Sequence, residues 1–299
     1  MPAPNSAGPH VVCIGEVLWD RFPDTALLGG APANAAVHAA ALGAQSALVN
    51  RVGRDEFGSE ALEQLRARGV KTSSFQTDPE RETGAALVTV VGGEPSFEIV
   101  EDAAWDALEW TDDLGAVAGK ADAVCFGTLG QRSEPSRSTI RRFVESSSDS
   151  AVRCLDLNLR QHYHSPEVIE ASLQLANTLT LNRMELTALA QTFGQKDDEA
   201  PRTVEYLCEA FSLQWVALTL GAEGSHVWGD GVDARIQAGT VEVRDSVGAG
   251  DAFTAALIVQ LLAGKDLVEA ATAAGEVGTF VATCDGGMPE LPNRFRLFE

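Results

Sequence analysis

The chain has 299 residues, of which 45% are hydrophobic, so it can bury a large core, and we expect one α/β domain over residues 1–299. Its formal charge of −21 argues against nucleic acid and anionic membranes as partners, because both require a basic protein face. No apolar stretch is long enough to span a bilayer, and residues 1–10 have the character of a disordered lead-in and not of a signal peptide, so we expect a cytoplasmic protein.

The cysteines are scattered along the chain and include no Cys-x-x-Cys pair: Cys13, Cys125, Cys154, Cys208 and Cys284. Several of them lie in apolar runs typical of strands, where a free thiol packs as a small hydrophobe. We therefore expect neither a structural zinc site nor a disulfide framework.

The first elements in the chain are a buried strand and a helix. The apolar run at residues 11–16 predicts the strand, and the Ala-rich stretch 31–43, with Pro in its first turn and Gly at its end, predicts the helix. Residues 83–105 contain two β-rich runs across Gly92-Gly93, which is typical of a hairpin. Together with residues 16–30, this hairpin is expected to form a small accessory sheet that covers a site as a lid.

Two interpretations are open for the polar and glycine residues that precede and open the first helix. Asp20 and Asn34 carry groups that hydrogen-bond sugar hydroxyls, and Gly29 and Gly30 let the backbone approach a ligand. Alternatively, the two glycines form an ordinary loop and Asn34 is a local helix cap.

Further along, predicted strands and helices alternate regularly. The strands are at residues 121–126, 152–157, 178–181 and 215–220, and the helices are near residues 135–147, 166–177, 184–193 and 201–211. This order predicts a doubly wound, mostly parallel sheet with helices on both faces. Ligands of such sheets bind beyond the carboxyl ends of the strands.

Polar residues follow two of these strands. Asp156, Asn158 and Arg160 alternate after one strand and are expected to face the same way, either toward a ligand or toward solvent. Asn182 and Glu185 follow the next strand, three residues apart on a helical turn. This pair is either a site for the water shell of Mg²⁺ or a helix cap with a first-turn acid.

The strand at 215–220 ends in a turn that contains Thr219, Gly221 and Gly224. A strand-end turn with two glycines is suited to admit a nucleotide. It is equally suited to a hairpin into the following residues, and the two interpretations are compatible.

The sequence Asp-Ser-Val-Gly-Ala-Gly-Asp at residues 245–251 precedes an apolar helix. The turn Gly248-Ala249-Gly250 leaves the first amides of the helix free, and these amides and the helix dipole bind anions. A carboxylate beside a bound phosphate is repelled by it, so Asp251 makes sense there as the base for an attacking hydroxyl. The alternative is that Asp251 only caps the helix N-terminus.

With these motifs in place, the chain resembles the ribokinase-like family of carbohydrate kinases over nearly its whole length. Four family motifs occur in order, at residues 29–35, 182–185, 219–224 and 245–253. Residues 15–20, 28–34 and 156–160 are most similar to the bacterial fructokinase branch, although Leu157 stands where that branch usually has Pro.

The resemblance implies a role for each motif residue. The implied sugar contacts and catalytic groups are Asp20, Gly29, Gly30 and Asn34 on the sugar, Asp251 as base, Gly248, Ala249 and Gly250 as the anion hole, and Arg160 near the phosphates. The implied cofactor groups are Asn182, Thr219, Gly221, Gly224, Gly248 and Gly250 for ATP, Asn182 and Glu185 for Mg²⁺ through water, and Asp245, Val247 and the segment near Gly286 as a candidate K⁺ site. Because the chain has no P-loop lysine, phosphate binding would depend on backbone amides, Arg160 and Mg²⁺. A homodimer formed through the lid is a further expectation, by analogy.

The expected activity is that of a fructokinase, which transfers the γ-phosphoryl group of ATP to a hydroxyl of D-fructose, most simply O6. Alternatives are the same chemistry on 2-keto-3-deoxygluconate, ribose or a nucleoside, and a sugar or nucleotide sensor without catalysis. A dinucleotide-dependent oxidoreductase is disfavoured, because the first strand is not followed by Gly-x-Gly-x-x-Gly.

Overall fold

The structure is a computed structural model that describes residues 8–91, 94–195 and 200–298. The strands β1 to β14 are His10–Ile14, Leu18–Arg21, Ala26–Gly29, Gln45–Val49, Arg51–Gly53, Gln76–Asp78, Gly84–Val91, Glu94–Ile99, Ala123–Phe126, Val152–Asp156, Thr178–Asn182, Trp215–Thr219, Ser225–Gly229 and Val232–Ile236. The helices α1 to α9 are Ala31–Ala41, Glu56–Ala67, Asp112–Ala118, Ser136–Glu145, Pro166–Leu175, Arg183–Thr192, Ala200–Phe211, Ala249–Leu262 and Leu267–Val281. The predicted Gly92-Gly93 turn and most of the predicted lead-in lie outside the described residues.

The central sheet has eight strands in the order β14-β13-β12-β11-β10-β9-β1-β4. The six strands from β12 to β4 are parallel, and β13 and β14 add to one edge as antiparallel strands. The doubly wound, mostly parallel sheet that the alternation of elements predicts is therefore confirmed. All six parallel strands end at one edge of the sheet, and the candidate site lies there.

The sheet separates two hydrophobic cores, which explains why its strands are apolar on both faces. In β1, Val11 and Cys13 face one core, whereas Val12 and Ile14 face the other. Helices α1, α2, α8 and α9 cover the first core, and α3 to α7 cover the second. Cys13, Cys125 and Cys154 lie side by side on three neighbouring strands as buried free thiols.

The two predicted lid segments join in a second sheet with the strand order β3-β2-β7-β8. β2 leaves the carboxyl end of β1 after three residues, so this sheet begins at the same edge where the parallel strands end. A third, two-stranded sheet pairs β5 with β6. Within the described ranges, no helix is both long and apolar enough to cross a membrane.

Helices α1 and α8 pack against each other on the first core. The alanines of α1 allow this close approach, and most of the helix is buried. Both helices begin near the carboxyl edge of the sheet, because each follows a loop that returns from that edge. Their first turns therefore carry the side chains that meet in the candidate site.

Candidate active site

Helix α8 begins at a glycine turn with exposed backbone amides. Gly248, its N-cap, has φ 75°, a conformation that favours glycine, and its carbonyl accepts the amide of Ala252 at 2.8 Å. The amide of Ala249 donates to Ser246 O at 3.3 Å, while those of Gly248 and Gly250 have no partner in the described part of the chain. A Cβ on Gly250 would meet nothing within 4 Å, so the turn faces open space. Free amides and the positive end of the helix dipole fit an anion here.

Asp251 lies in the first turn of α8 and is held by α1. The side-chain amide of Asn34 donates to Oδ2 of Asp251 at 2.6 Å. Burial raises the pKa of Asp251, while the hydrogen bond from Asn34 and the charge of Arg160 lower it. Oδ1 has no hydrogen bond to another described residue and remains free to accept one from a ligand hydroxyl. Among the described residues, the Asp251 carboxylate accepts no backbone amide, so the helix-cap interpretation is not realised, and its role as a base stays a prediction.

Asp245 organises the loop before this turn. Its Oδ1 accepts the amide of Val247 at 2.9 Å, and its Oδ2 accepts the amide of Gly286 at 3.0 Å. The carboxylate thereby links two loops that border the site. These two hydrogen bonds explain the position of the Asp245 carboxylate without a bound cation. The assignment of Asp245 and Val247 to a K⁺ site stays a prediction. Among the described residues, no cluster of three or more His, Cys, Asp or Glu side chains is arranged to hold a metal ion.

The turn at Gly287 packs between α1 and the start of α8. A Cβ on Gly287 would lie 2.9 Å from Nδ2 of Asn34, and a Cβ on Gly248 would lie 2.4 Å from the Cα of Gly287. Burial lowers the pKa of His38 to about 4, so its neutral ring donates from Nε2 to Gly287 O over 2.9 Å. The contact between Asn34 and Asp251 thus depends on the close packing of α1, the start of α8 and the turn at Gly287.

A pocket lies between the lid sheet and this turn. Asp20, Phe22, Leu28, Asn34 and Gly287 are among its lining residues. Burial raises the pKa of Asp20 to about 6, against the opposing charge of Arg160 and with a further rise from Asp245. A Cβ on residue 29 would lie 2.9 Å from Oδ2 of Asp20, so glycine there leaves room for this carboxylate. The structure therefore brings Asp20, Gly29 and Asn34 together around one pocket.

Arg160 is exposed beside several acids. Its charge lowers the pKa of Asp20, Glu16, Glu185 and Asp251, which places the guanidinium among them. The extended alternation predicted for residues 156, 158 and 160 does not form, although Asp156 and Asn158 still line one cavity. β10 ends at Asp156, and Asn158 has φ 40°, so the backbone leaves the extended conformation.

Asn182 and Glu185 form a reciprocal capping box at the start of α6. Asn182 Oδ1 accepts the amide of Glu185 at 3.0 Å, and Glu185 Oε2 accepts the amide of Asn182 at 2.8 Å. Glu185 Oε1 also accepts the amide of Leu159 at 3.0 Å. The helix-cap interpretation is therefore realised. Each oxygen keeps one lone pair, which fits a water of a hydrated cation and not direct coordination, so the Mg²⁺ role stays a prediction.

The turn after β12 has space for a side chain at one of its glycines and none at the other. A Cβ on Gly221 would meet nothing within 4 Å, whereas one on Gly224 would lie 2.0 Å from Ile236 O. Gly224 also accepts the amide of Leu220 at 2.8 Å. Gly224 is thus explained by the tight turn into β13. Gly221 is exposed and Thr219 is half-buried, with its hydroxyl donating to Leu181 O at 3.3 Å. The ATP contacts of Thr219, Gly221 and Gly224 stay predictions.

Comparison with known proteins identifies the architecture. The family model described as "pfkB family carbohydrate kinase" matches residues 11–294. The chain belongs to this family. Family membership makes it a sugar kinase, a phosphotransferase with an alcohol group as acceptor, as the resemblance implies.

Several relatives of this pfkB family kinase have names or known structures. Fructokinase-1 of Zea mays is 28% identical over 97% of this chain and 96% of its own length, and the fructokinase of Solanum tuberosum is 27% identical over 94% and 92%. An uncharacterised sugar kinase from Pyrococcus horikoshii superimposes with a TM-score of 0.79 at 27% identity, covering 93% of each chain. The ATP-bound fructokinase of Xylella fastidiosa, at 24% identity, TM-score 0.83 and 95% coverage of each chain, shares the fold.

Two acids of the site were not assigned a role from the sequence. Glu16 is buried at the end of β1, and burial raises its pKa to about 7. Asp156 accepts a hydrogen bond from Thr254 at 3.1 Å, and burial, with the nearby charge of Asp251, raises its pKa well above the usual range. The signal for Glu16 was an acid directly after the first buried strand, a place where sheets of this type bind ligands.

Proposed function

We propose that this pfkB family kinase is a fructokinase that transfers the γ-phosphoryl group of ATP to O6 of D-fructose. The observation that carries the proposal is the hydrogen bond from Asn34 to Asp251, which lies between the exposed glycine turn of α8 and the pocket around Asp20. Asp251 Oδ1 accepts no hydrogen bond from another described residue, which supports its role as the base. The names of the plant relatives support fructose as the acceptor.

The pocket supports an uncharged acceptor. Its described lining residues include the carboxylates Asp20 and Asp245 and the amide of Asn34, together with apolar groups and glycines, and no lysine or arginine. A sugar phosphate, or a sugar acid such as 2-keto-3-deoxygluconate, would bring a negative charge toward these carboxylates. The cation whose charge reaches Asp20 is Arg160, which also faces Glu16, Glu185 and Asp251 and does not line the pocket. A neutral polyol instead donates its hydroxyl protons to Asp20 and Asn34.

In the proposed reaction, Asp251 accepts the proton of the sugar hydroxyl as its oxygen attacks the γ-phosphorus. The bond from that phosphorus to the bridging oxygen of ADP breaks in line, and ADP leaves with the bonding electron pair. The free amides of Gly248 and Gly250 stabilise the charge on the phosphoryl oxygens, and Arg160 approaches the same oxygens. The amide of Ala249 joins them by exchanging its 3.3 Å bond to Ser246 O for a phosphoryl oxygen. Asn34 holds the carboxylate of Asp251 in place while it is the acceptor of the proton.

ATP is proposed to lie across the carboxyl edge, with its nucleoside near Thr219 and Gly221 and its phosphates toward Asn182. Bound Mg²⁺ would neutralise phosphate charge, and Glu185 would reach its water shell. This neutralisation matters here because Asp251 and the phosphates are all negative. We also propose a K⁺ site near Asp245 and Val247, which is tested by omitting K⁺ from the assay.

Replacing Asp20 by asparagine should raise KM for fructose by about ten- to hundredfold, since a hydrogen bond to a charged group contributes roughly 1.5–3 kcal/mol. KM for ATP should not change. In the wild type, KM for fructose should rise as the pH falls through about 6, because Asp20 is then protonated and accepts fewer hydrogen bonds. Asp24→Asn, in the exposed turn before β3, is the matched control. An unchanged fructose KM in Asp20→Asn would remove Asp20 from the sugar site.

The test of acceptor identity is ADP release with Mg-ATP and a panel of fructose, ribose, 2-keto-3-deoxygluconate, adenosine and fructose 6-phosphate, with and without K⁺. We expect fructose to have the highest kcat/KM by a wide margin. A higher kcat/KM for another acceptor would leave the proposed phosphoryl transfer in place and assign it a different substrate. Binding of sugar and ATP without ADP release would favour a sensor.

A further inference from the structure

The loop after β10 carries Arg160 and is held by hydrogen bonds on both sides of this residue. Before Arg160, the amide of Leu159 donates to Glu185 Oε1 at 3.0 Å, which joins the loop to the capping box on the proposed nucleotide side. After it, the amide of Tyr163 donates to Arg160 O at 3.1 Å, and the Tyr163 hydroxyl donates to Ile99 O at 3.0 Å. The loop therefore connects the proposed nucleotide site to the end of the lid strand β8.

Ile99 lies in the same row of the lid sheet as Asp20, the proposed sugar ligand. Asp20 on β2 is the register partner of Ala86 on β7, and Ala86 is in turn the partner of Ile99 on β8. Neighbouring strands share backbone hydrogen bonds, so a displacement of β2 is passed to β7 and β8. A sugar that binds Asp20 and shifts β2 therefore also shifts Ile99 O, the acceptor of the Tyr163 hydroxyl.

A buried ion pair holds the next peptide of the same segment. Arg132 pairs with Asp106 at 2.6 Å, and their side chains are only 4% and 5% exposed. Arg132 also donates from Nη2 to Val100 O at 2.6 Å. Its Cζ lies 3.9 Å from the ring centroid of Trp105 and 4.7 Å from that of Tyr163. Because a buried ion pair is costly to break, the ring of Tyr163 packs on a group that is itself fixed beside the end of β8.

We propose that Tyr163 is a positioning residue, through which the lid sheet places Arg160 for phosphoryl transfer. The proposal rests on the function proposed above, in which the sugar binds Asp20 and Arg160 approaches the transferred phosphoryl group. Because this link joins the two sites, each ligand strengthens the binding of the other by the same factor. Glu101 Oε1 lies 3.3 Å from the Tyr163 hydroxyl and belongs to the same segment as Ile99, so a bond to it would join the same two parts of the chain.

Replacing Tyr163 by phenylalanine removes the hydroxyl and keeps the ring that packs on Arg132. We expect wild type to bind Mg-AMPPNP at least about fivefold more tightly with saturating fructose than without it. In Tyr163→Phe, this coupling factor and kcat should each fall by about two- to fivefold, within the range for the loss of one neutral hydrogen bond. The dissociation constants of the single ligands should change less, whereas a purely structural role would weaken them together. Calorimetric titrations in both orders of addition measure all of these constants.

The other tyrosine of the chain provides the matched control. Tyr206 on α7 packs against Phe193 at the second core, with 5.9 Å between their ring centroids. Tyr206→Phe should therefore leave the coupling factor and kcat unchanged. The wild-type coupling factor in Tyr163→Phe would overturn the proposal, and so would the absence of coupling in wild type with a sugar that the enzyme phosphorylates.

Hydrogen exchange tests the link without depending on the identity of the sugar. Mg-AMPPNP alone should slow exchange of the amides in residues 98–101 in wild type, and less so in Tyr163→Phe, because the variant lacks the bond between the loop and β8. This difference, together with no phosphorylation of fructose by wild type, would support the link and reject the fructokinase function. Equal exchange in the two proteins would overturn the link.

Discussion

Replacing Asp251 by asparagine is expected to lower kcat by about 10²- to 10⁴-fold, the usual contribution of a positioned general base. Asparagine has the same shape, and its carbonyl oxygen can still accept the hydrogen bond from Asn34, so the fold and the contact between α1 and α8 should persist. ATP binding should be retained, because the free amides of the glycine turn are unchanged. The loss should therefore appear in kcat and not in the dissociation constant for Mg-ATP, measured by calorimetry.

The control for this substitution is Asp266→Asn. Asp266 caps α9 by accepting the amide of Glu269 at 2.8 Å, at the end of α8 opposite to Asp251. Asparagine is an equally good N-cap, so activity and stability should be unchanged. Turnover near the wild-type rate in Asp251→Asn would remove Asp251 as the base.

The raised pKa of Asp251 also predicts how kcat/KM depends on pH. Burial raises the pKa of Asp251, and the neighbouring carboxyl of Asp156 has a raised pKa as well. Only the ionised base accepts a proton, so kcat/KM should rise with pH through an apparent pKa above that of an ordinary aspartate. This apparent pKa belongs to the pair of acids. A rate that falls over this range would contradict the assignment.

Replacing Gly248 by alanine is expected to lower kcat/KM by about 10²- to 10³-fold, the effect of losing one donor of an anion hole. A Cβ there would lie 2.4 Å from the Cα and 2.6 Å from the O of Gly287, both backbone atoms, so one segment must move. The φ of 75° adds strain of about 1–3 kcal/mol. Displacing Gly287 would also disturb Asn34, which it contacts, so the base should lose its alignment together with the amides.

A substitution at a second glycine distinguishes the effect of the contact with Gly287 from the effect of backbone strain. Gly264 also has a positive φ, 85°, but a Cβ there would meet nothing within 4 Å. Gly264→Ala should therefore reduce the free energy of unfolding by a similar strain term and leave kcat/KM unchanged. Urea unfolding and steady-state kinetics on both variants test this. Equal kinetic effects in the two variants would show that packing against Gly287 is unimportant.

The fold was predictable because its signals are local. Apolar strands alternating with helices predict a parallel sheet, and the motifs at the strand ends fall at the edge where such sheets bind ligands. The capping box of Asn182 and Glu185 was likewise one of the two interpretations that the spacing allowed. The proposed homodimer through the lid stays a prediction.

The contacts that join the site were not predictable from spacing. Asn34 meets Asp251 across 217 residues, and Gly287 fits against both Asn34 and Gly248 only because three loops converge. The extended alternation after Asp156 does not form because Asn158 leaves the extended region, which a three-residue pattern does not reveal. Pairing between distant segments depends on the packed tertiary structure and not on local propensity.

The most direct test of the proposed reaction is ³¹P NMR of the products formed from D-fructose and Mg-ATP, with wild type and Asp251→Asn in parallel. We predict stoichiometric ADP and one phosphomonoester, whose phosphorus couples to the two protons on C6, with wild type. With Asp251→Asn, this product should form about 10²- to 10⁴-fold more slowly. An ester at another carbon would contradict the O6 assignment. Equal rates in the two proteins, or inorganic phosphate as the only product, would contradict transfer to a sugar hydroxyl activated by Asp251.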